Sequence, residues 1–222
     1  MFRVIERFIS IDGEGPTSGE LAAFIRFEGC NLRCTWCDTA YSWDGSCPYE
    51  EQSTEEIYHY IKESGARNVT LTGGEPLLQK DICQLLDILS SDTTLHIHIE
   101  TNGAIDISKY KDRYASENIH YIIDYKLPAS GMQMTMKERN FEYVSLDDVY
   151  KFVIATDNDL RETWRIVNKH ALTKRCRVFL SPVVESIEPR RIVEFMISHK
   201  WHDVKLQVQI HKVIWAKEMR GV

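Results

Sequence analysis

Nowhere in this chain of 222 residues does an apolar run approach the ~18 residues needed to cross a bilayer. The N-terminal "MFRVIERFIS" alternates apolar and charged positions, so it does not form a signal-peptide core. Neither a membrane span nor a secretory leader is expected, and the cytoplasm is the expected compartment. A basic block is missing too. Lys+Arg number 27 against Asp+Glu 33, a formal net charge of −6, which offers no electropositive track for a phosphate backbone. Direct nucleic-acid binding is therefore not expected. No linker-like or low-complexity stretch divides the sequence. With 43% hydrophobic and 27% charged residues, a single core in one domain over residues 1–222 is the natural expectation. Six cysteines are too few to staple a chain of this length, and a reducing compartment would keep them unpaired.

What the sequence does hold is a concentration of three of those cysteines. In "GCNLRCTWCDTAY", Gly29 to Tyr41, Cys30, Cys34 and Cys37 fall as C-x3-C-x2-C. The other three, Cys47, Cys83 and Cys176, are scattered. Cys83 lies in "DICQLLDIL" among Ile82, Leu85, Leu86 and Leu89, where a thiol packs as a small hydrophobe, and Cys176 reads the same way. A zinc knuckle completed by Cys47 or His59 is one reading of the triad. A closed zinc site, however, pairs two close-spaced ligand pairs, and no second C-x2-C exists here. Three local thiolates suit a [4Fe–4S] cube with one iron left open to a small ligand.

Periodicity gives the architecture. "LAAFIRFEG", "RNVTLTGGEP", "TLHIHIETNG", "IHYIIDYKLP", "VYKFVIA", "RVFLSPV" and "DVKLQVQIH" read as strands. Between them "STEEIYHYIKES", "DICQLLDILS", "DLRETWRIVNKHA" and "PRRIVEFMISHK" read as amphipathic helices. The first helix opens on a capping box, Ser53 as N-cap with Glu56 three residues on. Alternating strands and helices imply a parallel sheet with right-handed crossovers. Six repeats after the cysteine loop are too few for a closed eight-stranded barrel, which typically needs ~250 residues. The expected fold class is α/β, a partial (β/α) barrel with a curved, mostly parallel sheet open on one side. Ligands of such sheets sit beyond the carboxyl ends of the strands, where Thr72-Gly73-Gly74-Glu75, Glu100-Thr101-Asn102-Gly103, Asp124-Tyr125-Lys126 and Ser181-Pro182 all fall.

The C-x3-C-x2-C loop, "GGEP" and "ETNG" together resemble the radical S-adenosylmethionine (SAM) enzymes. The longer stretch "SIDGEGPTSGELAAFIRFEGCNLRCTWCDTAY", with "LQVQIHKVIW" near the C-terminus, is similar to the 7-carboxy-7-deazaguanine synthase family of that superfamily. The cysteine loop speaks only for the superfamily, whereas "GEG", "FIR", "CDT" and "QIHK" together point to this branch. The resemblance implies that Cys30, Cys34 and Cys37 ligate the [4Fe–4S] cluster and that SAM chelates its open iron. It further implies SAM contacts from Trp36, Cys37, Asp38, Gly73, Gly74, Glu75, Glu100, Asn102, Asp124, Tyr125, Lys126 and Ser181. Gly73 and Gly74 would let backbone carbonyls approach the methionine ammonium. Asn102-Gly103 is also a turn signal, and Lys126 before Leu127-Pro128 also reads as a solvated loop residue.

The implied substrate is 6-carboxy-5,6,7,8-tetrahydropterin, which offers a guanidine-like edge of N–H donors and a carboxylate. Its pocket needs an acid on one side and a base on the other. Glu14 and Arg26 meet that need: Glu14 would otherwise be a solvated turn residue in "DGEGP", whereas Arg26 interrupts an apolar strand. The resemblance assigns Arg26 to the carboxylate and adds Ile11, Asp12, Gly13, Thr72 and His211 as substrate contacts. Lys212, next to His211, reads as a surface charge. Thr39 in "CDT" corresponds to a magnesium ligand, and a single hydroxyl is adequate for a Mg²⁺ that keeps most of its shell as water and substrate oxygens. Two departures are visible: Asp12-Gly13-Glu14-Gly15 where the family reads QGEG, and Asp124-Tyr125-Lys126 where many members carry Ser-Pro-Lys. His96 and His98 share a strand face, and with no third ligand nearby they read as polar residues lining or flanking the sheet.

The reaction so implied is a SAM-derived radical that takes hydrogen from C6 of the pterin, ring contraction with loss of ammonia, and regeneration of SAM. Expected partners are the small pterin, a reductant such as flavodoxin or ferredoxin, and a second copy in a homodimer. Two alternatives remain open on the sequence. A glycyl-radical-enzyme activase shares the cysteine spacing but has no need of Glu14, Arg26 and Thr39 together. A non-enzymatic electron-transfer or zinc module would bind no SAM.

Overall fold

The computed structural model describes residues 1–114, 118–216 and 219–222. Its centre is a nine-stranded sheet. The strands are β1 (Phe2–Ile11), β2 (Leu21–Phe27), β3 (Glu50–Gln52), β4 (Asn68–Gly73), β5 (His96–Thr101), β6 (Ile119–Tyr125), β7 (Val149–Ile154), β8 (Arg177–Pro182) and β9 (Lys205–Leu206). The helices are α1 (Thr54–Ser64), α2 (Ile82–Ser91), α3 (Ser108–Arg113), α4 (Asp157–Lys169), α5 (Pro189–Ser198) and α6 (His211–Ile214). Spatial order is β3-β1-β2-β4-β5-β6-β7-β8-β9, with the sheet left open. From β2 through β9 every pairing is parallel, while β1 pairs antiparallel with both β2 and β3. The expected partial barrel is thus present. It carries an antiparallel edge in place of further repeats.

Each parallel strand sends alternate residues to two different surroundings. On β7, Tyr150, Phe152 and Ile154 join the large core under the helices, whereas Val149 packs on the concave side with Ile122 and Phe179. Residues two apart on a strand share a face, so Lys151 and Val153 follow Val149 onto that concave side. The same alternation sends Arg26 inward between Ile25 and Phe27, both fully buried in the core.

Local signals place the elements. The Ser53–Glu56 capping box opens α1 as expected, and Gly65 closes it in a left-handed conformation at φ 70°. A second box, Thr156 with Asp159, starts α4 two residues before "DLRETW" suggested. The expected terminal strand "DVKLQVQIH" is shortened to Lys205–Leu206. Its continuation leaves the sheet because Gln207 pairs with a turn instead: its side-chain oxygen accepts from Gly15 N at 2.7 Å and its amide donates to Gly15 O at 2.9 Å. Ile210 N then donates to Gly13 O. The segment before α6 is thereby stitched onto the Gly13–Gly15 turn. Cys176 is buried as expected, but Cys83 is only half-buried, at the rim of α2.

Candidate active site

At the carboxyl ends of the strands the concave face opens into a cavity of about 300 Å³. One wall is the cysteine loop. Cys30, Cys34 and Cys37 all line the cavity, and Cys47, Cys83 and Cys176 do not. All three are free thiols, and Cys30 Sγ accepts hydrogen bonds from Leu32 N at 3.4 Å and Asn102 Nδ2 at 3.6 Å. Burial raises the Cys30 thiol, and it pushes Cys34 up to about 11 against the pull of the Lys126 ammonium. Loading iron there must therefore release protons.

The glycines beside this wall serve it sterically. Gly73 has φ +133°, and a Cβ there would overlap the Phe27 backbone. On Gly74 a Cβ would overlap Gly29 O and crowd Cys30 Cβ. Gly74 N also donates to Phe27 O, and Glu75 N to Gly29 O. The end of β4 is thus pressed against the loop that carries the first cysteine, which is a different reason for glycine from ligand approach.

Glu75 is not a lining residue, contrary to expectation. Its carboxylate is fully buried and accepts from Leu77 N (3.0 Å), Thr101 Oγ1 (2.9 Å) and Asn102 N (2.7 Å). It ties the end of β4 to the end of β5 and so aims Asn102 at the cysteine loop, where Asn102 Nδ2 also donates to Asn31 Oδ1 at 2.7 Å. Burial pushes the carboxyl up to about 7, with the three donated hydrogen bonds opposing. Tyr125 is corrected likewise: alternation turns its ring into the core against Phe141 and Phe152. Ser181 stands behind the wall, its hydroxyl donating to Glu14 Oε2 at 3.2 Å and to Gln207 O at 2.9 Å.

Trp36, Asp38, Thr39, Gly73, Gly74, Glu100, Asn102, Asp124 and Lys126 line the cavity, and so do Ile11, Asp12, Gly13, Glu14, Arg26, Thr72 and His211. Arg26 Nε donates to Glu6 Oε2 at 2.8 Å, and Tyr41 donates to the same oxygen at 3.1 Å. Glu14 is no solvated turn residue: Lys151 Nζ lies 2.7 Å from Oε1, joined by Gln209 Nε2 at 3.2 Å. Asp12 lines the cavity, yet its carboxylate is spent on Thr17 and Thr70, with His98 Nδ1 at 3.8 Å. His98 is accordingly a buried polar residue under the Asp12 turn, while His96 is exposed. Thr72 donates to Glu100 at 2.7 Å, and burial raises the Glu100 carboxyl. A Cβ on Gly13 would overlap the His211 imidazole, so glycine is what lets α6 close down. Burial lowers the His211 pKa, favouring its neutral form.

Lys212 is not a mere surface charge. Its Nζ lies 2.9 Å from Asp38 Oδ2. Desolvation works to raise the Asp38 carboxyl, whose side chain is still 60% exposed, but Lys212, the Thr39 hydroxyl at 2.9 Å and Arg26 outweigh it and hold the carboxyl below the usual range. Lys126 Nζ pairs with Asp124 Oδ2 at 2.9 Å and lies 5.3 Å from the centre of the Trp36 ring. Among the described residues that line the cavity, three polar atoms are buried without a hydrogen-bond partner, Trp36 Nε1, Asp124 Oδ1 and Ser42 Oγ.

Lys151 and Gln209 were missed by sequence reasoning. Lys151 interrupts the apolar run "VYKFVIA" as Arg26 interrupts "AAFIRFEG", so the same alternation signal was there to be read. Gln209 carries no comparable signal. Among the described residues no three His, Cys, Asp or Glu side chains converge as for a single ion. A cube places irons between its thiolates, and three free thiols facing one cavity, with Gly74 and Asn102 packed behind the first, fit such a group.

A half-open parallel barrel with a cysteine triad at its mouth belongs to the radical SAM class. The Radical SAM superfamily model matches residues 24–144, and the class implies a [4Fe–4S] cluster and SAM. Among individual proteins, the chain is 45% identical to 7-carboxy-7-deazaguanine synthase of Clostridium acetobutylicum, an alignment covering 100% of this chain and 99% of the relative. It is 33% identical to the enzyme of the same name from Chlorobaculum tepidum, over 99% and 96% of the two chains. The crystal structure of QueE from Escherichia coli superposes with a TM-score of 0.73 at 23% identity, covering 94% and 93% of the chains, and supports the fold. The chain belongs to the 7-carboxy-7-deazaguanine synthase family and is a radical SAM enzyme.

Proposed function

We propose that the chain, acting as one domain over residues 1–222, converts 6-carboxy-5,6,7,8-tetrahydropterin into 7-carboxy-7-deazaguanine with loss of ammonia, on the queuosine route. The observation that carries this reading is the pairing of Arg26 and Glu14 in the same cavity as the three thiols. When bound, the reduced cluster and SAM supply the radical that removes hydrogen from C6.

The chain's own residues position and shield. Cys30, Cys34 and Cys37 hold the cluster, and Trp36, Asp38, Gly73, Gly74, Glu100, Asn102, Asp124 and Lys126 form the SAM side. Asp124 Oδ1 and Trp36 Nε1, buried without partners, are an acceptor and a donor for it. On the pterin side, only Nε of the Arg26 guanidinium is engaged among the described residues, by Glu6. That leaves its two terminal nitrogens for a carboxylate. Glu14, fixed by Lys151, Ser181 and Gln209, retains one lone pair, on Oε2, for the pterin's N–H edge. Neutral His211 and Thr72 complete the substrate contacts. Thr39 would supply one oxygen to a Mg²⁺, which there would orient the substrate carboxylate beside Arg26. Trp215, Met219 and Val222 from the C-terminal segment line the mouth and exclude water.

An acidic one-electron carrier of the flavodoxin or ferredoxin kind supplies the electron, the working form is a homodimer, and the compartment is the cytoplasm. No helix among the described residues is long and apolar enough to cross a membrane. Protein reconstituted anaerobically with iron and sulfide, then given SAM, dithionite and the carboxypterin, is expected to yield the deazaguanine acid and one ammonia per product. Iron-loaded protein that cleaves SAM but leaves the pterin unchanged would refute the reading.

A further inference from the structure

Lys151 is the one lysine planted on the concave face of β7 between Val149 and Val153, and it is 5% exposed. A buried ammonium is costly unless paired on more than one side. Here Nζ lies 2.7 Å from Glu14 Oε1 and 3.6 Å from Asp124 Oδ2. The second partner is its cross-strand neighbour in register, Asp124 of β6. Glu14 arrives from the N-terminal turn, 137 positions away. One cation thus joins the acid assigned to the substrate's donor edge and the acid assigned to the SAM side.

We propose that Lys151 is a positioning residue for the ring-contraction reaction, holding Glu14 aimed at the pterin's N–H edge and tying it to Asp124, so that both halves of the cavity share one ion-paired frame. This rests on the pterin reading above. The groups facing the pair come from every neighbouring element. Glu100 stands on β5, Asp124 on β6, Ser181 on β8, Gln209 and His211 on the C-terminal segment, and Asp12 beside Glu14 itself. Three of these are further carboxylates. Without Lys151, Glu14 would face like charges in a buried site with no cation to hold it, and would swing away. Because β7 and β8 also pair Val153 with Ser181, the frame is held by backbone register on two sides, and an Arg at 151 can keep the charge where a Met cannot.

The test uses the oxidised analogue 6-carboxypterin, which has no hydrogen on C6 and so cannot turn over, titrated by fluorescence into cluster-loaded protein at pH 7. Lys151→Met is expected to bind it at least about tenfold more weakly at pH 7, the loss of about 1.4 kcal/mol that a misaimed Glu14 would cost. Lys151→Arg should recover most of the affinity, and iron content should match wild type in both. If Lys151 acts through Glu14, Lys151→Met/Glu14→Gln binds no worse than Glu14→Gln alone. Unchanged affinity in Lys151→Met, or fully additive losses in the double variant, would overturn the proposal. Should the Met variant fail to take up iron, Lys151→Gln is read against the same two outcomes. A wild type that does not bind 6-carboxypterin at all instead refutes the pterin reading.

Discussion

The two walls of the cavity are made by different physics. The cluster wall is built from backbone: Gly73 and Gly74 let β4 touch Phe27 and Gly29, and Glu75 locks the strand ends with three hydrogen bonds. The opposite wall is built from charge, with Lys151 between Glu14 and Asp124 and Arg26 against Glu6. Steric fit between backbones tolerates no added atom, whereas an ion-paired wall tolerates a change of shape provided its charges still balance. Substitutions on the first wall should therefore abolish cofactor loading, and those on the second should grade affinity.

The largest effect is expected from Gly74→Ala. The new methyl meets Gly29 O and Cys30 Cβ, and forcing such a contact costs about 1–3 kcal/mol of overpacking strain at the first cysteine. Iron and sulfide per chain after reconstitution should fall as they do in Cys34→Ala, and Cys47→Ala should retain both. A Gly74→Ala protein with full cluster would erase the distinction between the walls. Next comes Arg26→Lys, which keeps charge but removes the planar fork. It should lower kcat/KM for the pterin about tenfold or more while substrate-free SAM cleavage persists. Steady-state kinetics beside SAM-cleavage assays would show an error if turnover at low pterin were unchanged.

Glu75 gives a pH signature to the first wall. Burial raises its folded pKa from 4.5 to about 7, so the stability it contributes is fully present below its unfolded value and is lost as pH rises through about 7. Thermal melts from pH 5 to 8 should show wild type losing stability across that window. Glu75→Gln should show a flatter profile from a lower start, because an amide N–H must then face Asn102 N, Leu77 N or the Thr101 hydroxyl. The smallest effect is expected at Thr39, whose hydroxyl already has a partner in Asp38. Thr39→Ala should keep the cluster and lose a few-fold stimulation by added Mg²⁺, with Thr39→Ser retaining most of it. Equal stimulation of wild type and Thr39→Ala in chelator-treated protein would remove Thr39 from the magnesium site.

The same contrast explains what could be read from the chain alone. The cysteine loop and the glycine pair are contiguous, so their spacing carries the chemistry, and strand–helix alternation carries the half-barrel. The charged wall joins residues 137, 167 and 195 positions apart, as Lys151, Ser181 and Gln209 meet Glu14. No local pattern encodes such a meeting. Glu75 and Tyr125 were misplaced for a related reason. They sit inside a cofactor motif, but a strand end sends alternate side chains away from the ligand, and motif membership does not say which. The antiparallel β1 was visible only as alternation of charge, with nothing in the sequence to say that it caps the open edge.

The most direct measurement of the whole account is the ratio of deazaguanine formed to SAM consumed, followed in anaerobic protein with reductant and excess carboxypterin. A cavity that holds the pterin beside the cluster, shielded by the C-terminal segment, should return SAM after each turnover. Many products per SAM lost, with the ratio falling toward one in Arg26→Lys as uncoupled cleavage grows, is the predicted result. One SAM consumed for every product in wild type, or steady SAM cleavage with no deazaguanine at all, would contradict it.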